Sequence, residues 1–201
     1  MSDVSRPVPV RLHSGDLSAG SGEARGPGGN GPAGVASAEV PVYARLAELG
    51  IPYVRYEHPP IASAEAGEQY WSGIEAAHCK NLFMRNQKGT KHYLVILQYQ
   101  KRADLRAVAD QIGDGKLSFG SPERLMKHLS LEPGSVSPFG LIHDADHAVR
   151  VAIDRDLKSA GRISFHPNTN TATIVLAFAD FHRFLEASGN PVQYVTVGAG
   201  G

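Results

Sequence analysis

The sequence predicts one α+β domain in which helices flank a mixed β-sheet. Three observations predict it. Strand-like and helix-like stretches succeed one another without regular strand–helix–strand alternation, which disfavours a doubly wound parallel fold. The length of 201 residues, with 42% hydrophobic and 20% charged residues, fits a single core plus an appendage. The run LVIL at 94–97 is continuously apolar, as expected of a strand buried on both faces.

The elements follow in chain order. Residues 1–38 are dominated by Gly, Ser, Pro and Ala. Such a stretch buries too little apolar surface to offset the entropy of ordering it, so it is expected to be a disordered tail preceding a domain at 39–201. Val42, Leu46 and Leu49 recur at helical spacing before Gly50, a good stop. YVRYE at 53–57 alternates as a strand, and His58-Pro59-Pro60 breaks it. Ser63 is expected to cap a helix running toward Trp71. Strands are expected at 80–85 and 92–98, around the turn-prone NQKGTK. Asp104 caps a helix that Gly113 ends, and Ser121-Pro122-Glu123 opens another. LIHDADHAVRVAID reads as strand, turn, strand, and RISFHPNTNTATIVLAF as a second pair turning at PNTN. DFHRFLEASG is a last helix and PVQYVTV a last strand.

Composition narrows the function. Twenty basic and 20 acidic residues cancel, which disfavours a strongly basic nucleic-acid binder but leaves room for a local patch. Lys80, Lys88, Lys91, Lys101 and Arg102 are candidates for one. A single cysteine, Cys79, excludes an intramolecular disulfide framework and a cysteine-rich zinc site. No apolar run approaches a membrane span and no apolar region follows Arg6 and Arg11, so a cytoplasmic protein is expected. Neither a G-x-S-x-G elbow nor a phosphate-binding glycine loop is present.

Three constellations could carry chemistry. Lys80 with Asn81 stands where a strand enters the core. The lysine could be a Schiff-base nucleophile, a phosphate clamp or a solvated strand end. Cys79, its neighbour across the pleat, reads as a small buried residue. Gly134-Ser135-Val136-Ser137-Pro138-Phe139-Gly140 is a pinned loop, with glycines permitting dihedrals that side chains forbid. It could present backbone N–H and C=O groups to a ligand, or be an ordinary connection. His166 in FHPNTN could shuttle a proton, orient a ligand or be structural. The run from His143 to His147 could chelate a metal, but a solvated turn explains it better, and neither metal nor cofactor is expected.

Taken together and in order, CKNLF, KHYLVILQ, GSVSPFGLIHDADHAVRVAID and FHPNTNTATIVLAFADFHRFLEASG resemble the YbaK/ProX family of aminoacyl-tRNA deacylases. The resemblance spans roughly 42–197 and is strongest to the branch that removes alanine mischarged onto tRNA(Pro). It implies a strongly curved mixed sheet with a cleft beside it. It also implies ester hydrolysis without metal or covalent intermediate, water being activated partly by the substrate's ribose 2′-hydroxyl. On this resemblance Lys80, Gly134 and His166 are the catalytic candidates. Lys80 would hold the 3′-end phosphate and His166 the aminoacyl moiety. Asn81, Ser135, Val136, Ser137 and Pro138 would bind the terminal adenosine and ester. The implied partners are the tRNA acceptor end and prolyl-tRNA synthetase, with no membrane. Cys-tRNA(Pro) or a Ser or Thr ester is an alternative substrate. A noncatalytic module that binds tRNA or synthetase is the alternative from another class.

Overall fold

The computed structural model describes residues 9–10, 35–61 and 64–198. The tail expected at 1–38 falls for the most part outside these residues, as does the Ser63 cap. Among the described residues nine strands form the sheet: β1 Pro9–Val10, β2 Val54–Glu57, β3 Ala77–Asn86, β4 His92–Gln98, β5 Leu117–Phe119, β6 Val149–Asp154, β7 Arg162–Phe165, β8 Ala172–Ala177 and β9 Val192–Val195. Five α-helices accompany them: α1 Val40–Glu48, α2 Ala64–Trp71, α3 Leu105–Gln111, α4 Pro122–Leu129 and α5 Phe178–Ser188. None of these helices is long and apolar enough to cross a membrane.

The strand order is β1-β2-β8-β7-β3-β4-β6-β9, with β5 added on β3. The β3–β7, β4–β6 and β6–β9 pairs are parallel and the rest antiparallel, so the sheet is mixed as expected. β4 shows why its sequence lacks alternation. Leu94 and Ile96 join a core with Leu46, Phe139, Phe165 and Phe181, whereas Tyr93, Val95 and Leu97 join a second core with Met84, Val108 and Val195. A strand sandwiched between two apolar layers has no face left for polar residues.

The helix ends follow local chemistry. Asp104 accepts from the N–H groups of Arg106 and Ala107, and Ser121 from that of Arg124. Gly50 and Gly113 sit at φ +60° and +67°. In each, the glycine N–H and the next one turn back onto carbonyls of the final helical turn, satisfying acceptors that the helix leaves open.

Two expectations change, and one strand has no counterpart in the sequence reading. The stretch beginning at Leu141 is not a strand: Pro138–His143 is a 3₁₀ helix. Ser137 caps it by accepting from the Phe139 N–H, and Pro138 occupies the first turn, where its missing donor costs nothing. Asp144 then closes the following turn, accepting from Ala148, Val149 and Asn190, so its carboxylate is structurally committed. β3 begins at Ala77, so Lys80 lies inside the strand rather than at its entrance. β5, only three residues long, carries too little pattern to be read from sequence.

Candidate functional site

The site lies where the sheet splits. β3 and β7 run parallel but share only the rungs Ala77–Ile163 and His78–Ser164. Beyond them, β3 gains β5 as a neighbour only from Met84. Between those points the β3 edge carries no described strand. The loop at 134–137 bridges the opening. Asn81 Nδ2 donates to the Val136 carbonyl at 3.1 Å, and Ser137 Oγ donates to the His166 carbonyl at 2.5 Å. Each tether joins a loop residue to one of the two diverging strands, so the loop holds the gap open at a set width. Ligand sites in open sheets favour such places beyond the carboxyl ends of parallel strands, where the backbone is not consumed by ladder bonds.

A cavity of about 210 Å³ occupies the opening. Lys80 and Asn81 line it from β3, Gly134 and Val136 from the loop, and Ser164, Phe165 and His166 from β7 and its end. Thr173 of β8, Ile61 and Trp71 complete the wall. Of the expected site residues the fold thus brings Lys80, Asn81, Gly134, Val136 and His166 to one cavity. Ser135, Ser137 and Pro138 do not line it. The Ser135 N–H closes a turn onto Glu132, and Ser137 and Pro138 are buried supports of the loop. Cys79 also reaches the cavity, although pleating was expected to send it away from Lys80. The cavity opens at the edge of β3, so residues of both faces meet it. Burial pushes the Cys79 thiol well up, which removes its nucleophilic form.

The electrostatics are simple. Lys80 is the one Lys, Arg, Asp or Glu among the described lining residues. Burial, followed by the neighbouring His58, lowers His166 to about 4, so its imidazole is neutral at physiological pH. His58 is itself held low by burial, and its Nε2 meets Thr173 Oγ1 at 3.0 Å. Three inaccessible polar atoms on lining residues lack a hydrogen-bond partner: Asn81 Oδ1, His166 Nε2 and Trp71 Nε1. Unsatisfied buried polar atoms are costly, and these three on the walls of one cavity offer hydrogen-bonding capacity to a ligand. Among the described residues no group of His, Cys, Asp and Glu could hold a metal ion.

Sequence reasoning missed one pair here. His78 Nδ1 meets Ser164 Oγ at 2.7 Å, and its Nε2 faces the Ile74 carbonyl at 3.3 Å. The carbonyl requires a proton on Nε2, so Nδ1 accepts the serine's proton. Trp71 stacks on this imidazole at 5.1 Å. The partners are far apart in sequence, and only the β3–β7 rung joins them. Burial lowers His78, which weakens it as a base, so the pair fits a locked cavity wall better than an activated nucleophile.

The two glycines of the loop serve different ends. Gly134 sits at φ +89°, a conformation that L side chains rarely adopt. Gly140 has no such dihedral: a Cβ there would lie 2.7 Å from Leu131 Cδ1 and 3.2 Å from the Leu129 carbonyl oxygen, so close approach excludes a side chain. At Gly134 a Cβ meets nothing nearer than Asn170 at 4.0 Å. Gly134→Ala therefore tests backbone shape alone. It is expected to cost roughly 1–2 kcal/mol of local strain and to lower any activity of the cavity several-fold. Thermal unfolding and turnover measured on the same preparation check this; unchanged turnover would show the loop conformation to be dispensable.

Comparison with known proteins gives a consistent picture. The family model described as "Aminoacyl-tRNA editing domain" matches residues 58–184. The chain is 40% identical over 154 residues to the prolyl-tRNA editing protein ProX of Acetoanaerobium sticklandii, covering 77% of this chain and 94% of that protein. It is 31% identical over 150 residues to the prolyl-tRNA synthetase associated domain-containing protein 1 of Bos taurus, covering 73% and 87%. A crystal structure of a candidate trans-editing enzyme for prolyl-tRNA synthetase superposes with a TM-score of 0.62 at 21% identity, over 82% of this chain and 99% of that one, a likeness of fold.

Proposed function

From the premise that this chain belongs to the aminoacyl-tRNA editing domain family and is a hydrolase of aminoacyl-tRNA, we propose that it edits mischarged tRNA(Pro) in trans, hydrolysing the ester of alanine. The observation that carries this reading is the small cavity at the strand opening, with one cation, one neutral imidazole and exposed loop backbone. Water adds to the ester carbonyl, the bond to the ribose 3′-oxygen breaks, and alanine and tRNA leave. An aminoacyl ester is already activated, so orientation and stabilisation of the developing oxyanion suffice. In this reading Lys80 holds the 3′-end phosphate, the Gly134 and Val136 backbone cradles the reacting ester, and Asn81 and neutral His166 orient the aminoacyl group. The substrate's 2′-hydroxyl assists water.

The volume of about 210 Å³ lies below the range of drug-sized sites, which supports a small aminoacyl group. Ile61, Val136, Phe165 and Trp71 supply rigid bulk, and steric exclusion of a larger group discriminates well. Purified protein is expected to deacylate Ala-tRNA(Pro) at least about 100-fold faster than Pro-tRNA(Pro), the scale of a steric filter. A panel including Cys-, Ser- and Thr-charged tRNA(Pro) fixes the preference. Ala-tRNA(Pro) left intact by stoichiometric protein would sink the proposal.

A further inference from the structure

A second concavity, of about 550 Å³, lies away from the cavity. Arg124, Lys127 and His128 line it from α4, His92 from the start of β4, and Gly89 from the β3–β4 turn. Arg124 Nη1 donates to the Gly89 carbonyl at 2.9 Å and faces His92 Nε2 at 2.9 Å. The His92 and His128 rings pack 4.1 Å apart. Gly89 sits at φ +67°, and a Cβ there would lie 3.0 Å from Arg124 Nη2, so the glycine admits the guanidinium.

These cations are not spent on carboxylates. Neither Arg124 nor Lys127 forms an ion pair among the described residues. Glu123 is exposed at the rim and engaged with Ser121, and Asp144 is committed to Ala148, Val149 and Asn190. Burial holds both imidazoles below their ordinary values; Arg124 and Lys127 add to this while Asp144 opposes it, and His92 reaches about 4. Arg124 and Lys127 against the single lining carboxylate of Glu123 leave the concavity with an excess of positive charge, which attracts anions. By contrast Lys101, a sequence candidate for a basic patch, is consumed by Asp154 and Asp156, and Lys91 pairs with Asp114.

We propose that the concavity formed by Arg124, Lys127, His128 and His92 is a second contact for the phosphate backbone of the RNA substrate, beyond its aminoacylated end. The inference rests on the editing reading. His92 pairs with Arg85, five residues beyond Lys80, which places the concavity about 17 Å along β3 at ~3.4 Å per residue. RNA entering the cavity by its 3′ end carries further phosphates at that range. The remaining guanidinium donors of Arg124, the Lys127 ammonium and the neutral His128 imidazole suit a phosphodiester and read no base.

The test measures binding of uncharged tRNA(Pro) against salt for the whole protein, Lys127→Ala and Arg124→Gln. Lys127 is exposed, so its removal leaves the fold intact even if the Arg124 variant fails to fold. Each variant is expected to bind tRNA several-fold more weakly and to reduce the slope of log Kd against log salt by about 1. Lys127→Ala is expected to weaken intact tRNA more than adenosine 5′-monophosphate, whose single phosphate sits beside the 3′-terminal sugar and does not reach α4. Equal salt slopes for the wild type and Lys127→Ala overturn the proposal, as does an equal loss on the mononucleotide. So does a His128 NMR shift with inorganic phosphate while the tRNA slopes stay equal, which assigns the concavity to small anions. If the slopes differ but Ala-tRNA(Pro) is not hydrolysed, the proposed reaction fails and the RNA contact stands.

Discussion

Replacing Lys80 by alanine is expected to lower kcat/KM for Ala-tRNA(Pro) by about 100-fold, as losing one preorganised donor to a charged group does. The expectation rests on position. Lys80 is half-buried in the interior of β3 and brings the one formal charge among the described lining residues to a cavity otherwise lined by neutral groups. A charge in so enclosed a place acts across a lower effective dielectric than one in bulk water. Lys80→Arg keeps the charge but brings a planar fork in place of a compact ammonium, so it should recover only part of the loss. Single-turnover deacylation of both variants, beside their unfolding curves, separates chemistry from folding. A loss of less than about threefold, the scale of a solvated surface charge, would show that the lysine is only a strand residue.

The largest expected effect on stability lies elsewhere. Arg55 of β2 is buried against Glu39, with Nε–Oε2 at 2.8 Å and side chains 2% and 0% exposed. Tyr43 of α1 donates to the same carboxylate at 2.5 Å, and burial, then that carboxylate, pushes its phenol far up. Arg55→Ala leaves Glu39 charged without its counterion in the core. The expected cost is about 3–5 kcal/mol, or roughly 6–20 °C in Tm for a chain of this size. Replacing Arg55 and Glu39 together by leucine removes both charges and should restore much of that loss. Denaturant unfolding of the single and double variants decides it; a cost for Arg55→Ala below about 1 kcal/mol, typical of exposed pairs, would rule out the buried-ion account. The network matters to the site because β2 pairs with β8 through Tyr56 and Thr173, and Thr173 lines the cavity.

Features governed by near neighbours were legible. Asp104 and Ser121 announce helix starts and Gly50 and Gly113 helix ends, because each satisfies backbone groups within one turn. The 3₁₀ helix at Pro138–His143 was misread because its apolar residues mimic a strand, while the Ser137 cap and the Asp144 turn that define it depend on the folded chain. Ser164 and His78 stand far apart in the chain, and nothing local to either marks the pair. The cations at 88, 91 and 101 look equivalent in sequence, yet Asp154 and Asp156 claim Lys101 and Asp114 claims Lys91.

By itself the sequence determined the α+β class, the strand buried on both faces, and the resemblance that picked out Lys80, Asn81, Gly134 and His166. Hydrophobic period, capping and turn chemistry act over a few residues and are written where they act. Tertiary structure alone decided that β3 and β7 part after two rungs and that the loop at 134–137 spans the gap on the Asn81 and Ser137 tethers. It also decided that α4 faces the β3–β4 turn, with Arg124 bonded to the Gly89 carbonyl and neither it nor Lys127 in an ion pair among the described residues. Those outcomes depend on which distant groups meet in three dimensions, and the energy of each meeting depends on burial that no local stretch of the chain encodes.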